Sequence, residues 1–338
     1  MGAVGDTLLR LTDLSVDFAS QEGTVHAVNH ISFDVAPGEL VGLVGESGCG
    51  KSVTASAIIG LTGMVPNATI SGSIEFQGQN LLTMPEGKVR AIRGRDIAMI
   101  FQDPVTSLNP VLSIERLMTE GLELHLGMSH SDAVKRSIEL LGEVGIPKAA
   151  NRIKDYPHQF SGGMRQRVMI AIAISCNPKM LLADEPTTAL DVTIQAQILR
   201  LLKKLSREHE AAVIVITHDL GVVAGMCRRI LVMYAGRIVE SGPAKDLFRT
   251  PHHPYTVGLL KSVPRLNEPR RDTLQTISGL PPDLAHLPPG CSFAPRCYLA
   301  TDECWAAAPQ LEPTDAGRLS ACFHSDQLRR AAGAEVTA

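Results

Sequence analysis

A chain of 338 residues has room for one large core and a smaller appendage. Apolar residues make up 44% and charged residues 20%, the balance of a globular protein rather than a disordered or fibrous one. A net charge of −3 gives no basic field for nucleic acid, and no run of 18 apolar residues is present to cross a bilayer.

The opening segment, Met1 to Asp6, has neither a basic nor an apolar stretch. It does not read as a secretory signal, so a cytoplasmic location is expected. Seven cysteines, an odd number in a reducing compartment, argue against a disulfide framework.

Leu8 to Phe18 alternates apolar and polar residues at the strand period. Gln21-Glu22-Gly23 turns the chain, and Val25 to Val35 predicts a second strand, closed by Pro37-Gly38. Glu39 to Val44 predicts a short buried strand. Gly45-Glu46-Ser47-Gly48-Cys49-Gly50-Lys51-Ser52 then fits G-x-x-x-x-G-K-[ST] without mismatch, and Val53 to Ile59 predicts a helix start. Strand, glycine loop and helix N-terminus form a cradle for phosphate, because glycines let backbone N–H groups converge and the helix end is partly positive. Lys51 is placed to reach β- and γ-phosphates, and Ser52 to offer its hydroxyl to Mg²⁺. Cys49 reads as a tolerated small residue, with some sensitivity to thiol reagents that bound nucleotide blocks. Phe18 lies 27 residues before Gly45. A ring there would stack on a purine or fill a strand's core, and spacing alone leaves both open.

Ser73 to Phe76 and Asp96 to Ile100 predict further strands, the second leading into Phe101-Gln102-Asp103-Pro104. From Val111 to Ile146 apolar residues recur at helical spacing: Ile114, Leu117, Met118, then Val134, Ile138, Leu141. Pro147 to Pro157 breaks this insert. Ser161-Gly162-Gly163 precedes a helix predicted over Met164 to Ser175, with Ser161 near its N-cap. Met180 to Asp184 is an apolar strand that runs into Glu185. Adjacent acids at a buried strand's end suit Mg²⁺ held by Asp184 and a water polarised by Glu185. Ala211 to Thr217 predicts another buried strand, with His218 at its C-terminal end, where open α/β sheets place ligands. Alone, such a histidine reads as structural.

In that order, the phosphate loop, Phe-Ser-Gly-Gly, strand-Asp-Glu and strand-Thr-His resemble the ATPase subunit of ABC transporters over about residues 8–245. The resemblance implies an α/β fold: a phosphate-loop, RecA-like core, an antiparallel β portion and a helical subdomain near 105–175. It implies ATP and Mg²⁺ as ligands, with Ser52, Gln102 and Asp184 at the metal. Phe18 matches the adenine-stacking aromatic, Gln102 the lid glutamine, and Glu185 the catalytic base. His218 matches the switch histidine that senses the γ-phosphate. Ser161, Gly162 and Gly163 match the signature that contacts nucleotide held by an opposite subunit. Ala189-Leu190-Asp191 resembles the segment crossing between the two subunits. Met164 departs from the usual glutamine after Ser-Gly-Gly.

Pro251-His252-His253-Pro254-Tyr255-Thr256 and the cysteine-bearing tail resemble the oligopeptide/dipeptide importer ATPases. That implies a heterodimer with a second, homologous ATPase subunit, two transmembrane permease subunits and an extracytoplasmic peptide-binding protein. The chain would lie peripherally on the cytoplasmic face of the inner membrane and bind no nucleic acid. Close relatives carry nickel, sugars or other solutes, which is the alternative cargo. Soluble relatives acting on nucleic acid or ribosomes fit less well, since no long heptads and only one phosphate loop are present. The expected layout is a nucleotide-binding domain at 8–250, a C-terminal region at 251–326 and a frayed tail at 327–338.

Cys291, Cys297, Cys304 and Cys322 follow C-x5-C-x6-C-x17-C in a Pro-rich segment. Four thiols in such a segment suit a tetrahedral metal or an iron–sulfur cluster. Resemblance to the peptide-importer group suggests a [4Fe-4S] cluster; Zn²⁺ and free thiols are the alternatives. Trp305 is expected to pack over the site.

Overall fold

The computed structural model describes residues 7–188, 191–262, 277–315 and 317–336. They form two compact units, one from 35–39 and 79–216, the other from 9–34, 40–78 and 217 onward.

Parallel strands carry the first unit's core. Ile97–Ile100 pairs with Met180–Asp184 from Ile97↔Met180 to Ile100↔Ala183, and Met180–Asp184 pairs with Ala212–Thr217 from Met180↔Ala212 to Asp184↔Ile216. Every residue of these strands is buried. A strand covered on both faces reads as an unbroken apolar run, not as an alternation.

The helical insert contains Ile114–Leu126, His130–Glu143 and Gly162–Ile174. Ser113 caps the first by accepting from the Arg116 N–H, and Ser129 caps the second through the Asp132 N–H. Gly127 ends the first helix in the left-handed conformation. The predicted stripe is partly displaced. Ile114, Met118 and Leu141 are buried, whereas Leu117, Val134 and Ile138 are only half-buried. Ala133, Ser137 and Leu140 line the buried face instead. Ser137 is tolerated there because its hydroxyl donates to the Ala133 carbonyl at 2.7 Å.

In the second unit Leu9–Ser20 lies between Gly23–Val35 and Ala68–Phe76. It pairs antiparallel with the latter from Leu9↔Phe76 to Phe18↔Ala68, with a bulge between Thr12 and Ser15. A second group of strands runs in the order Glu312–Asp315, Arg318–Ser320, Arg237–Pro243, Arg229–Tyr234 and Leu40–Val44. The last pair is parallel and the others antiparallel. The stretch after 250 therefore shares a sheet with the 229–243 hairpin. Ser325–Val336 is helical where a frayed tail is predicted from 327. Leu328, Arg329 and Arg330 are good helix formers, and Arg329 pairs with Asp326 at 3.1 Å one turn back.

Candidate functional site

The loop 45–52 joins the Leu40–Val44 strand to the helix Lys51–Ile58. Two glycines are dictated by space. A Cβ on Gly45 would sit 2.2 Å from the Met233 carbonyl oxygen; one on Gly50 would sit 2.2 Å from that of Ala27, and Gly50 also has φ +105°. No side chain caps the helix, which leaves its first N–H groups to an anion. Lys51 is buried; its ammonium donates to the carbonyls of Gly45 at 2.9 Å and Glu46 at 2.8 Å. Ser47, Gly48 and Ser52 are exposed. Cys49 is buried, and burial raises its thiol pKa although Lys51 lies 3.6 Å from its Sγ. A buried, un-ionised thiol reacts slowly, so the expected thiol sensitivity loses its basis.

Glu46 is held by residues far along the chain. Its N–H donates to the Tyr255 hydroxyl at 2.7 Å, and its carboxylate takes both Arg296 Nη atoms, at 2.6 and 2.9 Å. Neither residue belongs to the nucleotide-binding motifs. Tyr255 carried a motif signal; Arg296, 250 residues from Glu46, carried none.

Phe18 is half-buried in its strand opposite Ala68. His218 is exposed just after the Ala212–Thr217 strand, and Asp219 beside it caps the helix Leu220–Met226.

In the first unit, Asp184 is buried at the end of its strand. Glu185 follows with φ +44°, a left-handed backbone that a glutamate adopts only when its surroundings impose it. Its N–H donates to the Ile216 carbonyl at 2.8 Å. Its Oε2 accepts from Gln102 Nε2 at 3.1 Å and from Thr188 Oγ1 at 2.7 Å. Gln102 and Glu185, 83 residues apart, are thus brought together. Thr188 is a further partner that the motif reading left out.

Ser161 Oγ accepts from the Met164 N–H and caps the Gly162–Ile174 helix, as expected. Asp191 caps Val192–Glu208 through the Ile194 N–H at 3.0 Å; Ala189 and Leu190 lie outside the described residues. A Cβ on Gly163 would meet Ile194 Cγ2 at 3.0 Å, so the serine-glycine segment packs on the helix that Asp191 starts. Met164 is seated on Arg152, whose Nη1 lies 3.5 Å from its Sδ.

Cys291, Cys297, Cys304 and Cys322 line one small cavity with Phe293 and His324. None is in a disulfide. Burial raises the thiol pKa of Cys291 and Cys297 and pushes that of Cys322 up to about 12, and each of these three also feels other thiols of the group. Cys304 Sγ lies 3.6 Å from His324 Nε2. Among the described residues, no three His, Cys, Asp or Glu are arranged to hold a single metal ion. Trp305 is 49% exposed and does not line the cavity, contrary to expectation.

Two family models match: "ABC transporter" over residues 28–188 and "Oligopeptide/dipeptide transporter, C-terminal region" over 239–304. The chain is 53% identical to the oligopeptide transport ATP-binding protein OppD of Salmonella typhimurium, over 94% of each chain. It is 52% identical to the protein of that name from Escherichia coli, over 94% of this chain and 93% of that one. Its fold is similar to the dimeric ATP-binding cassette MJ0796 solved with ADP and Pi, at TM-score 0.62 and 28% identity, over 70% of this chain and 98% of that one.

Proposed function

This chain belongs to the ABC transporter ATPases, on their oligopeptide/dipeptide branch, and on that premise we propose that it hydrolyses ATP to drive peptide uptake across the cytoplasmic membrane. The observation that carries the reading is identity of half or more over 94% of the chain to oligopeptide transport ATP-binding proteins. The phosphate loop agrees with it: an uncapped helix end, two glycines that no other residue replaces, and a lysine already drawn to the loop.

ATP with Mg²⁺ supplies the phosphoryl group to be transferred. Lys51 and the loop N–H groups would neutralise and orient the phosphates. Ser52, Asp184 and Gln102 would hold Mg²⁺, and Phe18 would stack on the base. Glu185 would take a proton from the attacking water, with His218 turned to the γ-phosphate. Ser161, Gly162, Gly163 and Asp191 would act across a pair of ATPase subunits. The dimeric state of the similar cassette supports such pairing, with a second, homologous subunit as the proposed partner.

Two permease subunits and an extracytoplasmic peptide-binding protein complete the proposed system. No described helix is long and apolar enough to cross a membrane, which suits a peripheral subunit carried by such permeases. Uptake of labelled dipeptides and longer peptides in a deletion strain tests the cargo. Wild-type protein is expected to restore uptake from background, and the length preference defines the peptide class. Peptide uptake untouched by the deletion, with loss of nickel or sugar uptake instead, would replace peptides by that solute.

The four thiols are proposed to hold a [4Fe-4S] cluster. One shared cavity and the absence of disulfides among them support it. Anaerobic preparations are expected to carry about four irons per chain with broad visible absorbance. Stoichiometric zinc would exchange the cluster for that ion, and absence of both metals would remove the site.

A further inference from the structure

The C-terminal segment reaches the phosphate loop at Glu46. Each group of Glu46 is engaged. Its N–H donates to Tyr255, its carbonyl accepts from Lys51, and its carboxylate receives the Arg296 fork. Arg296 is 5% exposed and Glu46 26%. Arg296 ends a 3-10 turn, Ala294–Arg296, lying between Cys291 and Cys297. Backbone bonds from Ala294 N–H to the Cys291 carbonyl and from Cys297 N–H to the Ala294 carbonyl fix that turn. Its guanidinium is aimed by the carbonyl of Ser278, at 3.0 Å from Nε, and by the Tyr234 hydroxyl. Tyr234, Tyr255 and Phe293 pack ring against ring, with centroids 4.6 to 5.4 Å apart, and set the hydroxyls in place.

The arrangement solves a local electrostatic problem. A carboxylate in a loop built for a polyanion repels its ligand. A bidentate guanidinium neutralises that charge and fixes its direction.

We propose that Arg296 is a positioning residue for the phosphate loop: it holds and neutralises Glu46, and through this pair the thiol-bearing segment sets nucleotide affinity. The proposal rests on the loop's binding nucleotide, as read above. Arg296 acts through Glu46, the loop residue its guanidinium holds.

Equilibrium binding of trinitrophenyl-ATP to the full-length protein tests this, with displacement by ATP as the control. Arg296→Met is expected to raise Kd about tenfold, less than a fully buried pair would lose because Glu46 is partly exposed. Glu46→Gln changes the loop itself and serves as the reference background: there Arg296→Met is expected to change Kd by less than about threefold, because the charge it would leave unpaired is gone. That loss of effect separates positioning through Glu46 from simple support of the tail, whose loss would raise Kd in either background. An Arg296→Met Kd within about twofold of wild type, or an increase that persists in full in the Glu46→Gln background, overturns the proposal. If Arg296→Met does not fold, Arg296→Lys keeps a cation without the fork. It is expected to raise Kd about threefold, an effect again lost in the Glu46→Gln background, and an unchanged Kd in the Arg296→Lys single variant overturns the proposal too. Wild-type protein that fails to bind the probe would instead strike the nucleotide reading itself.

Discussion

Glu185→Gln is expected to slow ATP hydrolysis by about 10²–10⁴-fold, the share that a positioned general base contributes. Nucleotide affinity is expected to stay within about threefold of wild type. The substitution removes the base and keeps the shape. Glu185 Oε2 accepts from Gln102 and Thr188, and an amide oxygen accepts the same two bonds. The backbone at φ +44° is held by the bond from the Glu185 N–H to the Ile216 carbonyl, which the side-chain change does not touch. An amide takes no proton from water. Single-turnover phosphate release and equilibrium binding of an ATP analogue measure the two effects apart. A hydrolysis rate within about tenfold of wild type would place the base elsewhere, and His218 would be the next residue to replace. Loss of binding together with turnover would mean that Glu185 shapes the site rather than acting on water.

The parts of this site that are legible in sequence are local ones. A glycine loop between a buried strand and a helix, or two acids closing an apolar strand, compresses its meaning into eight residues or fewer. Ser161 is legible as a cap for the same reason: a cap bonds three residues ahead. Partnerships across the chain are not legible in this way. Arg296 looks like any surface arginine until Glu46, 250 residues earlier, is folded beside it. The strand Glu312–Asp315 carries no strand signal of its own, because Glu-Pro-Thr-Asp has the proline and charges of a sheet edge. The buried face of His130–Glu143 departs from the apolar stripe because Ser137 satisfies its hydroxyl within the helix and so passes for an apolar residue. The family resemblance reached further than periodicity did, but only for residues inside its motifs; Thr188 and Tyr255 show the difference between a matched position and a known partner.

Arg318→Met is expected to destabilise the second unit by about 3–5 kcal/mol near neutral pH, the loss that follows when one member of a buried ion pair is removed. Arg318 Nη2 lies 3.2 Å from Glu240 Oε1, and the two side chains are 4% and 1% exposed. Arg318 also bonds the Thr250 carbonyl and hydroxyl, so it ties the strand Arg318–Ser320 to the helix Ala244–Arg249 just before Thr250. Glu240 accepts the N–H groups of His252 at 2.7 Å and His253 at 3.1 Å. Even so, burial outweighs these donors and raises the Glu240 pKa above the usual carboxylate range. The sign of the pH effect follows from that direction. A carboxyl raised in the folded state binds more protons there than in the unfolded chain, so stability falls as pH rises through the folded value. Without Arg318 the folded value rises further and the window widens. His252 offsets this little, because burial and the Arg318 charge lower its pKa. The deficit of Arg318→Met against wild type is therefore expected to be larger at pH 8 than at pH 5.5 in urea unfolding. Glu240→Gln in the same chain is expected to recover part of the loss at pH 8, since a neutral amide needs no counter-charge, although its one oxygen accepts from only one of the two histidine N–H groups, which bond different carboxylate oxygens in the wild type. A deficit below about 1 kcal/mol, or one that ignores pH, would mean that Glu240 is neutral already and that its bonds to the backbone, not Arg318, hold the hairpin to the tail.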